Sequence, residues 1–130
     1  MRWLLLAAAL CVGIGVAHSW LGERYILIRL FRREDLPKLF GSDWFTKRTL
    51  RFAWHLTSVA WWGLGGVLLA VADGSAGDPA AMRQRVIAVV AVTFLVHAIV
   101  TAAASRGRHY AWVVFLAIAA LASYAATAIR

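Results

Sequence analysis

Val86-Ile87-Ala88-Val89-Val90-Ala91-Val92-Thr93-Phe94-Leu95-Val96-His97-Ala98-Ile99-Val100-Thr101-Ala102-Ala103-Ala104 runs for nineteen residues without a formal charge. About twenty apolar residues wound as helix cross the hydrocarbon of a bilayer. A helix also satisfies its own backbone polar groups there, and no alternation of apolar and polar residues offers a strand instead. Working outward, three comparable runs cover about residues 3–21, 50–72 and 110–129. The fold class expected is all-α: a polytopic membrane protein whose four transmembrane helices form an antiparallel up-down bundle. The whole chain, 1–130, reads as a single transmembrane domain.

Composition agrees. Of 130 residues, 62% are hydrophobic and 15% charged, and the mean hydropathy is +0.72. A soluble domain is nearer half apolar. Disorder and a large soluble enzyme are excluded, and one cysteine, Cys11, excludes a disulfide scaffold. Fourteen basic and six acidic side chains give a net charge of +8. In a soluble chain that balance would suggest nucleic acid. Here the basic residues flank the apolar runs, so the partner expected is the lipid bilayer and no nucleic acid.

The connections carry local signals. Asp73 to Pro79 is turn-rich, with Asp78 an N-cap and Pro79 the first helical residue. Ser105-Arg106-Gly107-Arg108 is a short turn that makes spans three and four a hairpin. Residues 22–49 form a basic interfacial segment. Its first part, Tyr25 to Phe31, either prolongs helix one or lies among headgroups with its arginines snorkelling. A turn is expected around Leu36 to Ser42, and helix two near Asp43. Gly15-Val16-Ala17 has the small residues of a signal-peptide cleavage site, but the run continues through Trp20 and Leu21 and only Arg2 precedes it.

Ten basic residues lie on one side of the proposed spans: Arg24, Arg29, Arg32, Arg33, Lys38, Lys47, Arg48, Arg51, Arg106 and Arg108. Four lie on the other: Arg2, Arg83, Arg85 and Arg130. The excess places the first set inside and both termini outside, in the inner membrane for a bacterial host.

Each span has a histidine in or near it: His18, His55, His97 and His109. Ionisable groups inside a membrane are costly and default to functional candidates. At 1.5 Å per residue, His18 and His55 lie roughly 10 Å from the membrane centre on the same side. His97 is deeper and His109 nearer the surface. Cys11, Gly15, His18 and Gly22 share one helical stripe, whose small residues leave space for close packing or a flat cofactor. Arg51, His55, Ser58 and Trp62 form a second stripe, and Thr93, His97, Thr101 and Ser105 a third. Bis-His haem b needs two imidazoles facing each other from different helices at one depth. A Cu, Zn or Fe site would draw on His18, His55, His97 and Glu23. Ser58 and Thr101 would hydrogen-bond the ligands, and Trp62 would wall the cofactor. Glu23 and Arg51 are expected at one height, as an ion pair.

Plainer readings stand beside these. An intramembrane histidine often hydrogen-bonds a neighbouring helix. Trp3, Trp20, Trp44, Trp54 and Trp112 suit interfacial belts. Gly63, Gly65 and Gly66 mark a close helix crossing. The alternative function is a non-enzymatic membrane adaptor or assembly subunit, its basic cytoplasmic surface meeting anionic lipid or a partner. Four short spans leave room for a homodimer or a partner membrane subunit. A transporter is disfavoured, since no carboxylate lies near the membrane centre. Nucleotide-binding and HExxH motifs are absent, and a Ser–His–Asp triad would lack an intramembrane Asp.

His18, Trp20 and Gly22 resemble the opening of two bacterial membrane families linked to haem or copper, the CopD-like proteins and the HemJ-type protoporphyrinogen oxidases. The likeness covers about a tenth of the chain. It implies haem or copper and transfers no catalytic residue. The chain as a whole resembles small four-helix bacterial membrane proteins, which implies no activity.

Overall fold

The computed structural model describes residues 2–73 and 78–128. Among the described residues, four helices carry the chain. Helix α1 runs Arg2–Leu30, α2 Trp44–Ala72, α3 Pro79–Ser105 and α4 Ala111–Ala128. The first three are long and apolar enough to cross a membrane, and α4 is a shorter apolar helix. The centre of the expected linker, residues 74–77, and the end of the fourth run, Ile129 and Arg130, lie outside the described residues.

Helix α1 does not stop at Leu21. A π-helical turn, Gly22–Leu27, carries it on to Leu30. Of the two readings of Tyr25 to Phe31, prolongation of helix one is the one observed. The chain reverses at Leu39-Phe40-Gly41-Ser42, where Leu39 and Ser42 exchange backbone hydrogen bonds of 3.0 and 3.4 Å. Phe40 and Gly41 both have positive φ, 57° and 85°, a mirror-image tight turn that suits glycine at its second centre. Asp78 caps α3: its Oδ1 accepts from the backbone N–H of Ala80 at 2.9 Å and of Ala81 at 3.3 Å, with Pro79 in the first turn. Arg106 and Gly107 take left-handed conformations, and Gly107 N–H returns to the Ala102 carbonyl at 2.8 Å, closing α3.

Cross-helix contacts fix the directions. Val12 meets Trp62 and Ser19 meets Ser58, so α1 and α2 are antiparallel. Arg48 meets Ala104, and Gly66 lies against Val89, so α2 and α3 are antiparallel. Gln84 meets Ala126 and His97 meets Phe115, which reverses α4 again. Each helix packs on its neighbours in sequence, and among the described residues no close backbone approach joins α1 to α3 or α4, or α2 to α4. The antiparallel up-down helices are therefore laid out as an open row, each beside its neighbour in sequence. In a row, each helix keeps most of its surface outside: at most 22% of the most apolar window of the three long helices is buried.

The glycines set the helix spacing. Gly65 lies against Ala8 and Cys11 of α1, whereas Gly63 and Gly66 face Thr93 and Val89 of α3. Small residues on opposite sides of α2 let both neighbours approach closely.

Candidate functional site

The side chains of the α1–α2 seam build a chain of polar contacts. Ser58 sits four-fifths of a turn beyond His55, and Ser19 one turn before Glu23, so each helix offers two polar groups on one face. Ser58 and Ser19 hydroxyls lie 2.8 Å apart. Ser19 Oγ is 2.9 Å from His55 Nδ1, and His55 Nε2 is 3.3 Å from Glu23 Oε2. Glu23 Oε1 takes the Arg51 guanidinium at 3.0 Å, so the Glu23–Arg51 ion pair is present in the structure. Ser58 is only 1% exposed, which makes these contacts its substitute for water.

Proton inventory gives the chain a direction. An ionised Glu23 only accepts, so Nε2–H of His55 donates to it. In neutral imidazole Nδ1 then accepts, from the Ser19 hydroxyl, and Ser19 accepts from Ser58. Protonating the ring reverses the two hydroxyls, because Nδ1–H must then donate. The seam thus has two internally consistent polarities. Ser19, His55 and Glu23 have the connectivity of nucleophile, base and orienting carboxylate. However, Ser19 lies inside α1, where the backbone N–H groups are spent on helix bonds, so the seam lacks the paired donors that acyl transfer requires.

His18 faces a different set of groups. Its ring stacks on Trp54 with centroids 4.5 Å apart and planes 3° from parallel, and it meets Trp61 edge-on at 4.8 Å. Its Nε2 is 2.9 Å from Thr57 Oγ1, whose single proton goes to the Trp54 carbonyl at 2.6 Å. Nε2 of His18 is therefore the donor. In neutral His18 that nitrogen is protonated and offers no lone pair to a metal. Trp54 Nε1–H returns to the His18 carbonyl at 3.1 Å.

His97 belongs to the α3–α4 seam. Its Nδ1–H donates to the Thr93 carbonyl at 2.8 Å, and the ring packs between Phe94 and Phe115. Thr101, one turn further along α3, is fully buried, and among the described residues its Oγ1 has no hydrogen-bond partner. Ser105 donates to the Thr101 carbonyl at 2.6 Å and accepts from His109 N–H at 3.2 Å. The third polar stripe thus bonds mainly to its own helix backbone.

The expected ligands are consequently separated. His55 and Glu23 meet; His18 turns to the tryptophans, and His97 sits on another seam. Among the described residues no three His, Cys, Asp or Glu side chains gather as a metal-holding group. The space left by the small residues of α1 is filled by indoles: Trp62 lies on Gly15 and donates to the Val12 carbonyl at 3.2 Å, and Trp54 lies on Gly22. Trp62 is a packing group there, and a cavity of about 440 Å³ stays open beside Trp54, lined by Ala17, His18 and Gly22 among others.

The polar stripes leave out Ser19 and Thr57, although Ser19 and Glu23 are four residues apart on one face, as are Arg51 and His55. Sequence position alone suits Trp44 to an interfacial belt. In the structure Trp44 is the hub of the basic end, with the guanidiniums of Arg48, Arg106 and Arg108 at 5.1, 5.5 and 5.2 Å from its ring centroid. Arg48 also donates to the Ala104 carbonyl at 3.0 Å, covering the end of α3. Among the described residues none of these three arginines has a carboxylate within salt-bridge distance. Comparison of the chain with protein-family models, with curated proteins and with solved structures finds no match.

Proposed function

We propose that the protein is a non-enzymatic adaptor or assembly subunit of a bacterial inner membrane. All four helices cross the bilayer, the basic end faces the cytoplasm and both termini face outward. Its working surface is that basic end, which engages negatively charged headgroups or an acidic partner. The observation that supports this reading is the Arg48, Arg106 and Arg108 cluster around Trp44. Three like charges brought to one indole without a carboxylate repel one another until an anion joins them. Cation–π attraction offsets part of that repulsion and fixes the direction in which the guanidiniums point. In this reading His18 and His55 are interhelical hydrogen-bonders, each bond worth about 1 kcal/mol, and His97 bonds its own helix.

The test is thermal unfolding in nanodiscs of zwitterionic lipid, with and without added anionic lipid. Anionic lipid should raise Tm by several degrees, and both high salt and the triple Arg→Gln substitution at 48, 106 and 108 should erase the gain. Equal Tm values in the two lipids would overturn the reading.

A second reading has one observation in its favour: His55 Nε2 and Glu23 Oε2 already stand 3.3 Å apart on different helices. A Cu, Zn or Fe ion, or haem b, would enlist them with His18 after that ring left Thr57. Metal analysis and an absorption spectrum of the untagged protein test it. In that case His55→Ala abolishes retention and His109→Ala leaves it; retention equal in both removes the site.

A further inference from the structure

Arg48 has two roles in the geometry. It belongs to the Trp44 cluster, and with Arg51, Phe52, His55, Val100 and Ala104 it lines a cavity of about 320 Å³ between α2 and α3. A second cavity of about 410 Å³ follows along the same pair of helices, lined by Val59, Trp62, Val92 and Val96 among others. On α2, residues 48, 52, 55, 59 and 62 recur every three or four positions; on α3, residues 104, 100, 96 and 92 recur every four. Both cavities therefore belong to one groove on one face of the row.

The groove has the chemistry of a divided ligand. Its mouth is cationic: Arg48, and through Trp44 also Arg106 and Arg108, have guanidinium donors beyond the bonds described, since each guanidinium has five. Its depth is apolar and walled by valine, phenylalanine and tryptophan. From Ala104 to Val92 it covers roughly 18 Å of helix. One leaflet of hydrocarbon is about 15 Å thick, half of the ~30 Å core. An acyl chain entering at the mouth is thus accommodated to its end.

We infer that the α2–α3 groove is a binding site for one anionic phospholipid, its phosphate held by Arg48, Arg106 and Arg108 and one acyl chain laid along Phe52, Val100, Val96 and Trp62. This rests on the proposed function and deepens it by naming the ligand. The lipid supplies the negative charge that the cluster lacks, and the groove supplies selectivity for a tethered phosphate over a free one. Arg51 stays with Glu23 at the edge of the mouth.

The experiment is native mass spectrometry of the delipidated full chain in detergent, with added phosphatidylglycerol or phosphatidylcholine of identical acyl chains. Wild type should retain one phosphatidylglycerol with a preference of tenfold or more, from about fivefold per engaged arginine. Arg48→Gln/Arg106→Gln/Arg108→Gln should reduce the preference to near unity, and Arg2→Gln/Arg83→Gln, at the opposite end, should leave it intact. Val96→Trp and, separately, Val92→Trp fill the groove and should cut retention by a similar factor. Helicity by circular dichroism confirms that each variant folds. If the preference survives both tryptophan variants and falls only with the arginines, the groove site is overturned and the basic-end reading stands. If wild type holds both lipids equally, both are overturned.

Discussion

At Gly22 and Gly15 a missing methyl group determines where two tryptophans rest. A Cβ at Gly22 would fall on the Trp54 indole, which is held by its bond to the His18 carbonyl and by the His18 stack. Gly22→Ala should therefore destabilise the protein by about 1–3 kcal/mol, the usual cost of overpacking. Gly13 has nothing within 4 Å of its Cβ position, and Gly13→Ala should stabilise by a few tenths or more through helix propensity. Parallel thermal melts check both; a Gly22→Ala protein as stable as Gly13→Ala would show that Trp54 moves freely. Arg33 and Asp35 supply a second residue-scale outcome. Their hydrogen-bonded ion pair, 2.6 Å at its shorter contact, holds the Asp35 carboxyl at about 2 instead of the ordinary 3.8. The depressed carboxyl makes its contribution fully present above about pH 4 and lost as pH falls through 2. A carboxyl NMR titration in micelles should show a midpoint near 2 for Asp35, returning towards 3.8 in Arg33→Gln.

Helices were legible where their ends are chemical. Asp78-Pro79 announced the start of α3, and the Asp78 oxygen bonds the backbone as that pattern requires. Asp78→Ala should cost about 1 kcal/mol in an equilibrium unfolding measurement. The π-helical turn at Gly22–Leu27 left no such mark. It inserts a wider turn just where Gly22 admits Trp54 and Glu23 meets two side chains of α2, and those partners are far away in sequence. The polar stripes were visible as spacings, yet spacing gives only a face. Which neighbour the face meets depends on rotation about each helix, and that put His97 beside Phe115 and His18 beside Trp54. His18 meets Trp54 and Thr57, on either side of His55 in sequence, yet the two rings lie against different groups.

At the scale of the molecule, the apolar runs predicted helices and the basic residues predicted which ends gather. The α3–α4 turn does meet the start of α2, through Arg106 and Arg108 on Trp44. Orientation has its own test. In a Cys11→Ser background, Asp78→Cys should react with a membrane-impermeant thiol reagent added to whole cells, and Gly41→Cys should react only after the membrane is opened. The opposite pattern would invert the proposed topology. The open row could not be read from the sequence, because the three stripes are compatible with closure or with a line.

That row bears on how the chain is made. Because each helix finds its partners next to itself in sequence among the described residues, docking of α1 does not have to wait for α4 to leave the ribosome. Assembly can follow synthesis, one helix docking on the one before it. An arrest-peptide force profile across nascent chains of increasing length should then show a separate pull as α2, α3 and α4 each arrive, and no late collective one.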